Sequence, residues 1–151
     1  MDAITLLKRE DAKLLKILRK LEDTTAGEPA ERELLVNQAR IQIRAGQQAE
    51  EDVLLPELRF HGRPEAAERT TQEGQEIMGT LDELRSQPPG RSEYQFIIER
   101  LHGQVRQHVK WKEHEVLPWL GRIITPEEAE TLGERLERTM FDLRRRLARE
   151  V

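Results

Sequence analysis

The sequence contains no cysteine, few aromatic residues and no long apolar run. Without thiols, the 151-residue chain can form no disulfide, no thiolate metal site and no cysteine nucleophile. No apolar stretch reaches the roughly 18 residues of a membrane-spanning helix, and the N-terminal segment lacks the apolar centre of a signal peptide. The net charge of −4 does not suit general binding to nucleic acid. These absences favour a cytoplasmic protein that binds neither membranes nor nucleic acid.

The sequence is rich in leucine, glutamate, arginine and alanine, which favour helix. Apolar residues recur with a 3.6-residue period, and no segment shows the alternation of a strand. Prolines and glycines divide the chain into five predicted helices: about 3–23, 29–60, 64–86 and 92–120, and a fifth that begins after Thr125. Four long helices with short connections predict an all-α, up-down-up-down four-helix bundle with an additional C-terminal helix, as a single domain over residues 1–151.

Local patterns add detail to these helices. Leu34 belongs to the predicted apolar side of the second helix, and Phe96 to that of the fourth. Pro56 should kink the second helix or tighten its last turns, because proline lacks a backbone N–H. Thr125 is the predicted N-cap of the fifth helix, with a proline at the first helical position and Glu128 closing a capping box.

The first two helices resemble the third and fourth in sequence. The segment "EEDVLLPEL" (50–58) aligns without gaps with "KEHEVLPWL" (112–120), and "EDAKLLKILRKL" (10–21) aligns with "EGQEIMGTLDEL" (73–84). Two matches in the same order and at nearly equal spacing indicate an internal repeat of two helical hairpins. The repeat pairs three inward-leaning positions: Asp11 with Gly74, Gly46 with His108, and Glu50 with Lys112. One residue of each pair can ligate a metal ion, and the glycine or lysine beside it cannot.

These segments also resemble the signature helices of hemerythrin-like (HHE cation-binding) domains. The resemblance rests on "DAITLLKRED", "AEEDVLLPEL", "QEGQEIMGTLDEL" and "HVKWKEHEVLPWL", and continues into "ITPEEAETLGERLER". It implies a His in the first and third helices and H-x-x-x-E in the second and fourth, which together hold a non-haem di-iron centre. These family positions fall on Asp11, Gly46, Glu50, Gly74, His108 and Lys112. Only Glu50 and His108 match the family pattern.

We therefore expect the family fold without its di-iron chemistry and without a cofactor. The protein would be a non-enzymatic binding, regulatory or structural module that acts on an unknown protein or small ligand, or as a homo-oligomer. No Ser-His-Asp pattern or glycine-rich phosphate loop supports an enzyme. The alternative is a sensor of oxygen, nitric oxide or redox state, or an oxygen-binding protein. Its metal site would keep only three ligands, Asp11, Glu50 and His108.

Lys112 suggests how the bundle could dispense with metal. A lysine at this inward position could place its ammonium beside Asp11 or Glu50 and so replace the metal charge. It could instead extend along its aliphatic stem to solvent. The helix-interrupting glycines allow two interpretations as well, either close packing at a lost site or a pocket for water or a small ligand. These glycines are Gly46, Gly74, Gly79 and Gly103.

The histidines differ in their predicted surroundings. His108 is expected in the core, hydrogen-bonded to a carboxylate. Three others lie off the face of His108 and are expected at the surface: His61, His102 and His114. Trp111 and Trp119 are expected to pack at the end of the bundle.

Overall fold

The structure, a computed structural model, describes residues 1–150. Its α-helices are α1 (Ala3–Glu22), α2 (Pro29–Ala49), α3 (Leu55–Phe60), α4 (Pro64–Arg85), α5 (Ser92–Trp111), α6 (Leu117–Ile123) and α7 (Pro126–Arg149). The all-α class and the additional C-terminal helix are thereby confirmed. Over the described residues, no helix combines the length and the apolar character needed to cross a bilayer.

Two π-helical turns join four of these helices into longer rods. The turn Glu50–Leu54 connects α2 to α3, and the turn Lys112–Val116 connects α5 to α6. In each turn the N–H of the residue before a proline donates to the carbonyl five residues earlier. The turn before Pro56 is thus wider than an α-turn, and the predicted tightening there is wrong. A wider turn relieves the crowding between the proline ring and the preceding carbonyls.

The four rods form the predicted bundle, and α7 lies beside it. Helix α1 packs against α2 and α5, α4 packs against α5, and α7 packs across α1 and α2. Helices α2 and α4 make the sparsest contact around the bundle. The start of α7 has the predicted capping box, in which Thr125 Oγ1 accepts from the Glu128 N–H and the Glu128 side chain accepts from the Thr125 N–H.

Two apolar clusters fill the bundle, one toward each end. The cluster toward α3 and α6 includes Leu6, Leu58 and Leu120. The cluster toward the opposite end includes Leu18, Leu81 and Leu101. Between them lies a layer of polar and charged side chains, and all six residues expected at the site fall on the helices at this level.

Two residues that the sequence assigned to apolar faces are exposed. Leu34 is 52% exposed and Phe96 is 72% exposed. Each stands next to another apolar residue, Leu35 or Ile97, which is buried. Neighbours on a helix point about 100° apart, and in both cases the second residue of the pair faces the core while the first points to solvent.

Candidate functional site

Lys112 lies inside the bundle and pairs with two carboxylates. Its Nζ donates to Asp11 Oδ1 at 3.0 Å and to Glu50 Oε1 at 2.6 Å. The residue is only 3% exposed, so its side chain points into the core and not to solvent. Three different rods meet in this ion triad: α1 supplies Asp11, and the two π-helical turns begin with Glu50 and Lys112.

Burial and charge act in opposite directions on the titrating groups of the triad. Burial by itself would lower the pKa of Lys112, but the charges and hydrogen bonds of Asp11 and Glu50 raise it above its usual value, so Lys112 stays protonated. Burial raises the pKa of Asp11 to about 6, and the Glu50 charge adds to this effect while Lys112 opposes it. Near neutral pH the triad therefore holds two carboxylates against one ammonium.

One ammonium does not satisfy both carboxylates completely. Asp11 Oδ2 is buried and has no hydrogen-bond partner within residues 1–150. Among the described residues, the only hydrogen bond to the Glu50 side chain is the one that Lys112 donates to Oε1. The triad thus keeps acceptor capacity and an excess of one negative charge.

His108 is buried beside the triad and is held by a carboxylate. Its Nδ1 lies 2.8 Å from Glu73 Oε1, and Arg69 approaches the other oxygen of Glu73 at 3.4 Å. The Arg69 guanidinium also covers the ring of Trp111. The predicted core histidine with a carboxylate partner is confirmed. The sequence did not identify Glu73 as that partner, although the repeat aligned Glu73 with Glu10.

Glu10 forms a second buried polar cluster that sequence reasoning missed. Its Oε2 accepts from Gln42 Nε2 at 2.9 Å and from Arg144 at 2.8 Å. Arg144 also donates to Gln42 Oε1 at 3.0 Å. Burial would raise the pKa of Glu10, but the hydrogen bonds from Gln42 and Arg144 hold it below its usual value. This cluster joins α7 to α1 and α2 beside the triad.

The glycines at this level open a cavity between α2 and α4. A side chain added at Gly46 or Gly79 would meet no atom within 4 Å, whereas one at Gly74 would meet the Gln47 amide at 3.2 Å. The cavity has a volume of about 500 Å³, and its lining includes all three glycines, the ion triad and His108. Gly103 is not part of this lining. Gly46 therefore favours the pocket interpretation over close packing, whereas Gly79 is exposed and the space beside it is open to solvent.

The residues present do not fit a di-iron centre. Such a centre needs several imidazoles and bridging carboxylates on facing helices. Gly46 and Gly74 offer no side-chain ligand, and the Lys112 ammonium occupies the space between the two carboxylates. Within residues 1–150, no group of three or more His, Cys, Asp or Glu side chains is arranged to hold a metal ion.

The remaining histidines are not all where the sequence predicted. His114 is exposed, and His61 is half-buried beside Glu57 at 3.3 Å. His102 is only 5% exposed and its Nδ1 lies 2.5 Å from Glu22 Oε2, so its predicted surface position is wrong. Glu22 on α1 covers His102. The position of His102 around its own helix, α5, gives no sign of a partner on another helix. The two tryptophans pack against the apolar cluster toward α3 and α6, as predicted.

Comparisons with known proteins bear on the four rods of the bundle and on the fold. The family model of the hemerythrin HHE cation binding domain matches residues 2–120. A crystal structure of a hemerythrin HHE cation binding domain-containing protein from Mycobacterium kansasii superposes with a TM-score of 0.83. The two sequences are 21% identical, and the match covers 95% of this chain and 88% of the other. At that identity the likeness establishes the fold alone. No curated protein sequence matches the chain significantly.

Proposed function

Because the chain belongs to the hemerythrin HHE cation binding domain family, we propose that it is a member in which a lysine ammonium has replaced the metal charge. The bundle then works without iron, as a non-enzymatic binding or regulatory module. The observation that carries this proposal is the position of Lys112 Nζ, 3.0 Å from Asp11 Oδ1 and 2.6 Å from Glu50 Oε1.

Electrostatics explains why one cation is needed between these helices. A buried carboxylate without a compensating charge is costly, and two of them repel each other. In a metal-bearing bundle the ions supply that compensation. Here Lys112 supplies it from within the chain, at the position where the family pattern has a carboxylate. The same ammonium repels a divalent cation from the Asp11 and Glu50 oxygens.

A binding role fits the rest of the site better than catalysis does. The titrating groups at this level are paired: His108 with Glu73, Glu10 with Arg144, and Lys112 with its two carboxylates. The hydroxyls among the cavity-lining residues belong to Thr70 and Thr71, and both donate to backbone carbonyls and not to a base. The cavity beside them offers room for a ligand.

The alternative function is a sensor of oxygen, nitric oxide or redox state, or oxygen binding. It uses a metal site with only three ligands, Asp11, Glu50 and His108. It requires these three side chains to converge on one ion. Lys112 stands between the two carboxylates, and this favours the metal-free proposal. The hydrogen bond between His108 Nδ1 and Glu73 does not distinguish the two functions, because a metal-bound histidine usually makes such a bond with its other ring nitrogen.

Metal content separates the two functions. The protein would be purified without chelators from iron-supplemented cells and examined by elemental analysis and by its visible spectrum. We expect far less than one iron per chain and no charge-transfer band. One or two irons per chain with such a band would overturn the proposal. A matched control is Lys110→Glu, which changes an exposed lysine of the same helix and tests whether surface charge alone alters iron content.

A further inference from the structure

The cavity between α2 and α4 is a built pocket with an open mouth. Its volume of about 500 Å³ lies within the range of about 300–1,000 Å³ that is usual for small-molecule sites. Residues at its rim are exposed, among them Glu51, Gln75 and Asp82. A ligand can therefore enter from solvent along the seam where α2 and α4 make little contact.

The walls of the pocket are mainly apolar. Side chains from α2, α4 and α5 line it: Ile43, Ile77, Met78, Val105 and Val109. Gly46 leaves free space beside these side chains, because nothing lies within 4 Å of where its Cβ atom would stand. The apolar body of a ligand would be desolvated in this space, which stabilises binding in proportion to the apolar area buried.

The charged groups that line the pocket are mostly negative. The lining has one lysine, Lys112, and one histidine, His108, which is bonded to Glu73. It has five acidic residues: Glu10, Asp11, Glu50, Glu51 and Asp82. Arg144 compensates Glu10 from outside the lining. Lys112 compensates one charge of the Asp11–Glu50 pair, which leaves one negative charge in excess at the floor.

We propose that this pocket binds a small organic cation that carries an ammonium group on an apolar body. The ammonium would lie at the floor beside Glu50, whose second carboxylate oxygen receives no hydrogen bond from the described residues. Asp11 Oδ2 also lacks a partner but is fully buried, so Asp11 contributes its charge and not a direct contact. The apolar body would extend along Ile43, Ile77 and Met78 toward the mouth. This inference rests on the proposed function, because metal ions at the floor would supply the positive charge that the ligand supplies here.

Charge should decide which ligands the pocket accepts. An anion of the same shape would meet the excess negative charge at the floor and the rim carboxylates of Glu51 and Asp82. An organic cation would add to Lys112 the second positive charge that two buried carboxylates require. The pocket should therefore distinguish amines from carboxylates of equal length.

The test compares octylamine with octanoate, using isothermal titration calorimetry at neutral pH in the presence of a chelator. We expect octylamine to bind at least about tenfold more tightly than octanoate, a difference of roughly 1.4 kcal/mol. Equal affinity, tighter binding of octanoate, or no binding of octylamine at millimolar concentration would overturn the inference. The chelator and a metal analysis of the same sample keep this outcome separate from that of the proposed function.

Two glycine variants locate the bound amine. Gly46→Met should occupy part of the cavity and weaken octylamine binding at least about tenfold, since nothing lies within 4 Å of an added Cβ there. Gly103→Met is the control, because Gly103 lies on α5 outside the cavity lining and an added Cβ meets only Arg106 at 4.0 Å. Unchanged binding by Gly46→Met, or equal losses in both variants with intact helical circular dichroism, would place the amine elsewhere and contradict the inference.

Discussion

At the scale of single residues, the ion triad is held together by the need of each charge for its partners. A buried ion pair contributes little stability compared with an apolar core of the same shape, since desolvation offsets the attraction between the charges. Removal of one partner is different, because it leaves the other charge buried and uncompensated. Lys112 faces two carboxylates, so it is the member of the triad whose loss is most damaging.

Lys112→Met should therefore destabilise the fold strongly. The change leaves Asp11 and Glu50 without a cation, and we expect a loss of about 3–5 kcal/mol in the free energy of unfolding at neutral pH. Denaturant unfolding followed by circular dichroism measures this loss. Lys110→Met is the matched control, since Lys110 is exposed on the same helix and its change should cost less than about 0.5 kcal/mol.

The combination of Lys112→Met with Asp11→Asn and Glu50→Gln tests the reason for that loss. If uncompensated charge is the cause, the neutral triple variant should recover much of the stability lost in Lys112→Met. A triple variant as unstable as the single one would show that packing, and not charge, makes Lys112 necessary.

Asp11 should make stability depend on pH in the direction opposite to that of an ordinary ion-paired carboxylate. Burial raises its pKa from 3.8 to about 6, so the folded state binds this proton more tightly than the unfolded chain does. The stabilisation is therefore complete below the unfolded pKa and is lost as the pH rises through about 6. The charged or titratable groups that act on Asp11 are Lys112, Glu50 and His108.

Asp11→Asn removes this titration and so isolates its effect. Between about pH 5 and pH 8, the wild type should lose about 1 kcal/mol of stability relative to Asp11→Asn. The measurement is the difference in free energy of unfolding between the two proteins at each pH. A difference that stays constant with pH would mean that the carboxyl titrates near its unfolded value.

At the scale of elements, the sequence predicted the helices well because breakers and periodicity are local signals. The predicted start of the second helix at Pro29 and the capping box at Thr125 both appear in the structure. The π-helical turns could not be predicted in the same way. Each π-helical turn inserts one residue and so shifts which residues face the core, but it leaves no mark in the amino-acid composition. A 3.6-residue period read from the sequence would continue through the turn unchanged. The repeat nevertheless placed Glu50 and Lys112 at equivalent positions, and each begins a π-helical turn.

The contact of α7 with the start of the chain depends on one glycine. A Cβ at Gly133 would overlap the carbonyl oxygen of Met1 and lie 2.8 Å from the carbonyl carbon of Asp2. Gly133→Ala should therefore destabilise the fold, since backbone must move to make room, in spite of the roughly 1 kcal/mol that alanine gains over glycine in a helix. Gly79→Ala, where nothing lies within 4 Å, is the control and should stabilise by up to that amount. Thermal melts compare the two, and equal stabilisation of both variants would contradict the close approach.

At the scale of the whole molecule, the site could be predicted only in part. The triad followed from comparing the two hairpins, because Asp11, Glu50 and Lys112 occupy positions that the repeat relates. Glu73 and Arg144 were missed because nothing in their own helices marks them as partners. Glu73 meets His108 on α5, and Arg144 reaches Glu10 from a helix that lies outside the repeat. Such pairs arise from the packing of distant segments and have no local sequence signal.

The bundle, the triad and the cavity together describe a hemerythrin HHE fold organised around a lysine. Two apolar clusters hold the rods in place, and the polar layer between them is compensated by Lys112 and by Arg144. The loose contact of α2 with α4 leaves the cavity open at this same level. The central claim is that the Lys112 ammonium stands in place of metal charge.

The shift in melting temperature caused by ferrous ion under anaerobic conditions tests this claim most directly. A ligand that binds only the folded state raises the melting temperature. We predict no shift for the wild type, and a rise of several degrees for the combined variant Gly46→His, Gly74→His and Lys112→Glu, which restores the family ligand pattern at those positions. A rise in the wild type as large as that in the variant would contradict the account.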